Sequence, residues 1–83
     1  MFKRYIQILT MIPSYGIRLR ELETKISKEY GVSINQAYKY IQLLEREGLV
    51  YKKRAWKHGP IEVRVTPEAK RLILQIVESW KLI

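Results

Sequence analysis

Cysteine is absent from this 83-residue chain. That excludes a disulfide framework, a thiolate metal site and a cysteine nucleophile. Aspartate is absent too, and His58 is the single histidine. Acid–base chemistry would have to come from glutamates, and these sit among helical charges. No catalytic triad or phosphate-cradling glycine loop is visible, and His58 has no second His or Cys with which to share a metal. An enzyme is therefore not expected, and neither a cofactor nor a metal is implied. No apolar run approaches the roughly 18–20 residues that cross a bilayer. The opening Met-Phe-Lys-Arg-Tyr-Ile lacks the apolar stretch and cleavage site of a signal peptide. The expectation is a cytoplasmic protein without a membrane partner, placed at the nucleoid or, if viral, in the host cytoplasm. No repeat or low-complexity linker divides the chain, so residues 1–83 read as one domain.

Positive charge is what the chain has in excess. Sixteen Lys and Arg stand against eight acidic residues, a net charge of +8. Such a surplus favours a polyanionic partner. The apolar fraction of 47% is that of a globular chain with a small core.

Helical spacing appears first at Phe2, Tyr5, Ile6, Leu9 and Ile12, and Pro13 should end that helix nearby. "PSYG" follows as a turn. Ile17 and Arg18 suit a very short strand. Leu19, Leu22, Ile26 and Tyr30 mark a second helix, closed by Gly31 and lacking a good cap at Arg18. On its wet side, Glu21–Lys25 and Lys25–Glu29 are spaced as i,i+4 ion pairs. Ser33 is placed to cap a third helix, two residues after Gly31, so the helices meet at a tight turn. Ala37, Ile41 and Leu44 form its inner stripe. Asn35, Lys39, Gln42 and Arg46 form the opposite one. Gly48 stops the helix.

Leu49 to Ala55 is rich in β formers, and Ile61, Val63 and Val65 alternate with polar residues. The two runs read as an antiparallel hairpin with Gly59-Pro60 in its loop. Thr66 and Pro67 start a last helix, where Ala69, Leu72, Ile73, Ile76, Val77 and Trp80 are apolar. The fold class is thus mainly α with a small β-hairpin. Its order of helix, short strand, helix, helix, two-strand wing and helix is that of a winged helix–turn–helix.

"GVSINQAYKYIQLLEREGLV" followed by "VRVTPEAKRLI" resembles the winged helix–turn–helix regulators of the MarR and PadR type. The matching residues are Gly31, Val32 and Ser33, then Leu44, Glu45, Gly48, Leu49 and Val50, then Val65, Thr66 and Pro67. Ala69 departs from the pattern, where glycine is common, as do the bulky Tyr38 and Tyr40. The resemblance implies a DNA-binding regulator.

A helix packed by Ala37, Ile41 and Leu44 aims Asn35, Gln36, Lys39 and Gln42 outward, where amides and ammonium groups can pair with base edges in the major groove. Ser33, Tyr38, Arg18 and Arg20 are candidates for the DNA backbone. On the wing, Lys52, Lys53, Arg54, Lys57, His58 and Arg64 face one carboxylate, Glu62, and suit phosphates or the minor groove. Trp56 either stacks on sugar or base, or folds back over the hairpin. Lys3 and Arg4 read as solvated.

The terminal segments 1–13 and 67–83 carry more apolar area than a thin core hides. Phe2, Tyr5, Leu9, Leu72, Ile76, Trp80 and Ile83 are candidate contacts of a homodimer. Leu43 lies nearer the wet side of its helix, without an assigned partner. The function expected is that of a sequence-specific regulator of transcription on double-stranded DNA, acting as a dimeric repressor. A winged-helix module for protein–protein interaction, with weak or no nucleic-acid binding, is the alternative; binding to structured RNA is a third reading. Nothing marks a small-molecule effector. The isoleucine-rich, cysteine-free composition suits a hot habitat, and a regulator of an archaeon or its virus would fit.

Overall fold

The computed structural model describes residues 2–54 and 56–81; the side chains of Phe2, Trp80 and Lys81 are outside the described set. The elements run α1 (Phe2–Thr10), β1 (Ile17–Arg18), α2 (Leu19–Tyr30), α3 (Ile34–Arg46), β2 (Val50–Arg54), β3 (Ile61–Val65) and α4 (Pro67–Lys81). The strands form an antiparallel sheet in the order β1-β3-β2. The short strand at Ile17 and Arg18 thus closes one edge of the hairpin.

Helix α1 stops at Thr10, three residues before Pro13. Met11 and Ile12 still donate to the carbonyls of Ile8 and Leu9, at 3.0 and 3.2 Å. The chain tightens there and tucks Ile12 into the core. Helix α2 begins at Leu19 with no side-chain cap from Arg18. It ends on Gly31, whose left-handed φ of 62° a side chain rarely adopts. Val32 N–H then bonds back to the Ser27 carbonyl at 3.2 Å. This turns the chain at once into α3, where the Ser33 hydroxyl accepts from Gln36 N–H at 3.1 Å.

The junction after α3 explains the paired motifs of Gly48-Leu49-Val50 and Val65-Thr66-Pro67. The Thr66 hydroxyl donates to the Gly48 carbonyl at 2.8 Å and accepts from Ala69 N–H at 3.2 Å. One side chain therefore caps α4 and ties it to the end of α3.

Ile8, Leu9, Ile12, Ile17, Leu22, Ile26, Ala37, Ile41, Leu44, Val50, Val63, Val65 and Ala69 form the core. Leu9 is 3% exposed and belongs to this cluster, which corrects its assignment to a dimer contact. Arg4 is not simply solvated: its guanidinium lies 4.5 Å from the Tyr30 ring and donates to the Tyr40 hydroxyl at 2.8 Å. Tyr30 donates in turn to Gln7 Oε1 at 2.9 Å. Arg4 thereby fastens α1 to the end of α2 and the middle of α3.

Candidate nucleic-acid interface

The polar stripe of α3 is where the spacing put it. Ala37, Ile41 and Leu44 are buried, and Asn35, Gln36, Lys39, Gln42 and Arg46 are exposed. Gln36, Lys39, Gln42 and Arg46 line one shallow groove together with Tyr40 and Leu43 of the same helix and Tyr5 of α1. Arg46 extends the exposed stripe of Asn35, Lys39 and Gln42 by one more turn. Ser33 stands exposed at the start of α3; its oxygen holds Gln36 N–H, and its hydroxyl proton is left to donate outward.

The wing cations do not share one surface. Residues paired across antiparallel strands point to the same face. Lys52 pairs with Val63 and Arg54 with Ile61, so both lie on the side of the sheet that faces the core. Tyr51 pairs with Arg64, and Lys53 and Arg18 both pair with Glu62, so these form the outer side.

Lys52 is turned back onto α3 rather than outward. Its ammonium donates to the Tyr38 hydroxyl at 3.3 Å and lies 3.4 Å from Glu45 Oε1. Burial alone would lower its pKa, but the Tyr38 hydroxyl and the Glu45 carboxylate outweigh that and raise it. Tyr38 and Lys52, expected at phosphates, thus engage each other within the protein.

Arg64 is also held in place. Its Nη2 lies 3.2 Å from Glu62 Oε2. Arg54 donates from Nη1 to the Gly59 carbonyl at 3.4 Å and remains largely exposed. Lys53, Lys57 and His58 are exposed. Trp56 folds back so that its indole covers Gly59, yet 63% of the residue is open to solvent.

At the start of α2, Arg18 and Arg20 share a groove with Lys25 and Lys28. The pairs expected from Lys25 to Glu21 and Glu29 are not closed: among the described residues, the ion pairs within 4.0 Å are Lys52–Glu45 and Arg64–Glu62. Surface pairs of this kind contribute about 0.3–0.5 kcal/mol, little against the entropy of two long side chains. Lys25 and Lys28 therefore join Arg18 and Arg20 as free cations.

An apolar groove of about 380 Å³ runs between α1, the end of α3 and α4, and shares Tyr5 and Leu43 with the groove of Gln36, Lys39, Gln42 and Arg46. Tyr5, Leu43, Leu72 and Ile76 are among its lining residues, which gives Leu43 a partner surface other than the wing. Leu72, Leu74 and Val77 are 39%, 61% and 38% exposed on α4. Phe2 and Trp80, as side chains, and all of Ile83 lie outside the described residues.

Two helices joined by a tight turn and followed by a β-hairpin, with β1 completing the three-stranded sheet, make this fold a winged helix–turn–helix. Among solved structures, SSV1 F-93 is similar over 96% of this chain and 89% of its own, with a TM-score of 0.65 and 19% identity. A transcriptional regulator from Clostridium thermocellum, Cth-833, is similar over 95% of this chain and 81% of its own, with a TM-score of 0.66 and 19% identity. No protein-family model matches the chain, and no curated protein matches it in sequence. The likeness to the MarR and PadR type is carried by the quoted motifs alone. Among the described residues no helix is long and apolar enough to cross a membrane.

Proposed function

We propose that this chain is a sequence-specific regulator of transcription that binds double-stranded DNA as a homodimer and acts as a repressor inside the cell. One observation carries the reading: Asn35, Lys39, Gln42 and Arg46 are exposed opposite the buried stripe of the third helix. An α-helix with that face fits the major groove, where amides and cations match base edges. Arg18, Arg20, Lys53 and Lys57 supply charge for the phosphates around it, and His58 stands beside them. The likeness to a protein described as a transcriptional regulator adds support.

The apolar groove and the exposed leucines of α4 support the dimer. A two-fold dimer would set two copies of α3 about 34 Å apart, one turn of DNA, on a pseudo-palindromic site. Selection from a random duplex pool tests the proposal. A palindromic consensus with half-sites one turn apart is the expected result. A pool that returns no consensus while the protein still binds would leave only non-specific affinity and overturn the reading.

A further inference from the structure

The tip of the wing presents an aromatic ring in a fixed pose. Gly59 donates its N–H to the Trp56 carbonyl at 2.9 Å and closes the turn. A Cβ on Gly59 would stand 2.7 Å from both Cδ2 and Cε2 of the indole and 3.1 Å from Cγ. Only a glycine lets the ring lie this close. Gly59 is buried beneath it, although it sits at the end of a projecting hairpin. Arg54 holds the Gly59 carbonyl from the other strand at 3.4 Å. The indole atoms nearest that Cβ position are Cγ, Cδ2 and Cε2. Trp56 as a residue is nevertheless 63% exposed, with exposed Lys57 and His58 next to it in the chain.

A hydrophobic blade next to the Lys57 cation suits a partner that offers both phosphates and a narrow slot. The minor groove of duplex DNA, about 6 Å wide, provides both, and a planar ring can enter it edge-on. Its floor also has a hydrogen-bond code. A·T pairs present acceptors only, whereas G·C adds the guanine amino group, a donor. The indole N–H is a donor and never an acceptor. It matches adenine N3 or thymine O2 and opposes the guanine amino group.

We propose that Trp56 is a specificity-determining residue that reads A·T pairs in the minor groove beside the site of α3. This rests on the DNA-binding reading above and adds a second place at which sequence is sensed. Because the ring is already pinned on Gly59, little side-chain freedom is lost when it inserts.

The test uses the full chain on its selected duplex, with each A·T pair flanking the α3 site replaced in turn by G·C and by inosine·C. Inosine·C keeps the G·C pattern in the major groove but lacks the amino group in the minor groove. At the pair read by Trp56, G·C should weaken binding about tenfold, and inosine·C should restore it. Trp56→Phe, which keeps a ring without the N–H, should bind all three duplexes alike. Gly59→Ala, which displaces the indole while leaving Trp56 in the sequence, should do the same. Both sites are outside the core, so the folded fraction, followed by circular dichroism, should be unchanged. Undiminished preference in Trp56→Phe, or inosine·C behaving as G·C, would overturn the proposal while leaving the regulator reading intact. A ring that stacks on unpaired bases instead would give Trp56→Ala a larger loss on single strands than on duplex, and would also overturn it. Wild-type protein that binds no duplex would end both.

Discussion

The Lys52 ammonium stands 3.3 Å from the Tyr38 hydroxyl, joining the wing to the helix that carries the base-reading candidates. It also lies 5.0 Å from the centre of the Tyr38 ring, and Glu45 completes the site. The clasp ties α3 to β2, so Lys52 positions the two candidate DNA-facing elements relative to each other. Lys52→Met should lower thermal stability and DNA affinity while leaving the salt dependence of binding nearly unchanged. A drop in the slope of log K against log salt by about 1 would instead identify Lys52 as a phosphate contact.

Lys39 and Lys53 should separate by the same measurement. Lys39→Ala removes a candidate base contact, and should cost about 1–3 kcal/mol on the selected site and far less on random duplex. Lys53→Ala should weaken both duplexes alike and reduce the salt slope by about 1. Titrations at three or more salt concentrations on the two duplexes give both numbers.

Arg4 is a fastener, so Arg4→Ala should destabilise the fold by about 0.5–2 kcal/mol in a chemical melt, through loss of its stacking on Tyr30 and its bond to Tyr40. The proposed DNA contacts of α3 should weaken only as far as the helix is loosened.

The same cluster predicts an alkaline limit. Burial, then the Glu29 carboxylate, raises the Tyr30 hydroxyl above its usual 10.0, while Arg4 pulls it back. Lys52 is likewise raised above 10.5, because its hydrogen bond to Tyr38 and the Glu45 carboxylate outweigh its burial. In both, the folded state holds the proton more tightly than the unfolded state. Their contribution is complete below the unfolded values and is lost as pH rises through the folded ones. The melting temperature should therefore fall from about pH 10 upward, and Tyr30→Phe should make that fall shallower.

Leu72 tests the dimer. It lines the apolar groove while remaining 39% exposed, so Leu72→Glu should leave the protomer folded. Light scattering should then report a monomer, and the affinity for a two-half-site duplex should drop towards that for one half-site. A dimer that survives the substitution would place the contact elsewhere.

The local instructions are plain in the sequence because each acts over a few residues. Ser33 and Thr66 cap the helices that follow them, Gly31 turns the chain, and Ile61, Val63 and Val65 alternate into a strand. The stripe of Ala37, Ile41 and Leu44 determines which side of α3 is left outside. Strand pairing, by contrast, decided that Lys52 faces α3 while Lys53 faces away, since composition counts charges without assigning them to a side. Arg4 meets Tyr40 across 36 positions, and no spacing rule reaches that far. Packing likewise withdrew Leu9 from the surface and laid Trp56 upon Gly59. Periodicity and capping are properties of adjacent residues. Which side chains meet, and which remain free for a partner, depends on how the finished elements close upon one another.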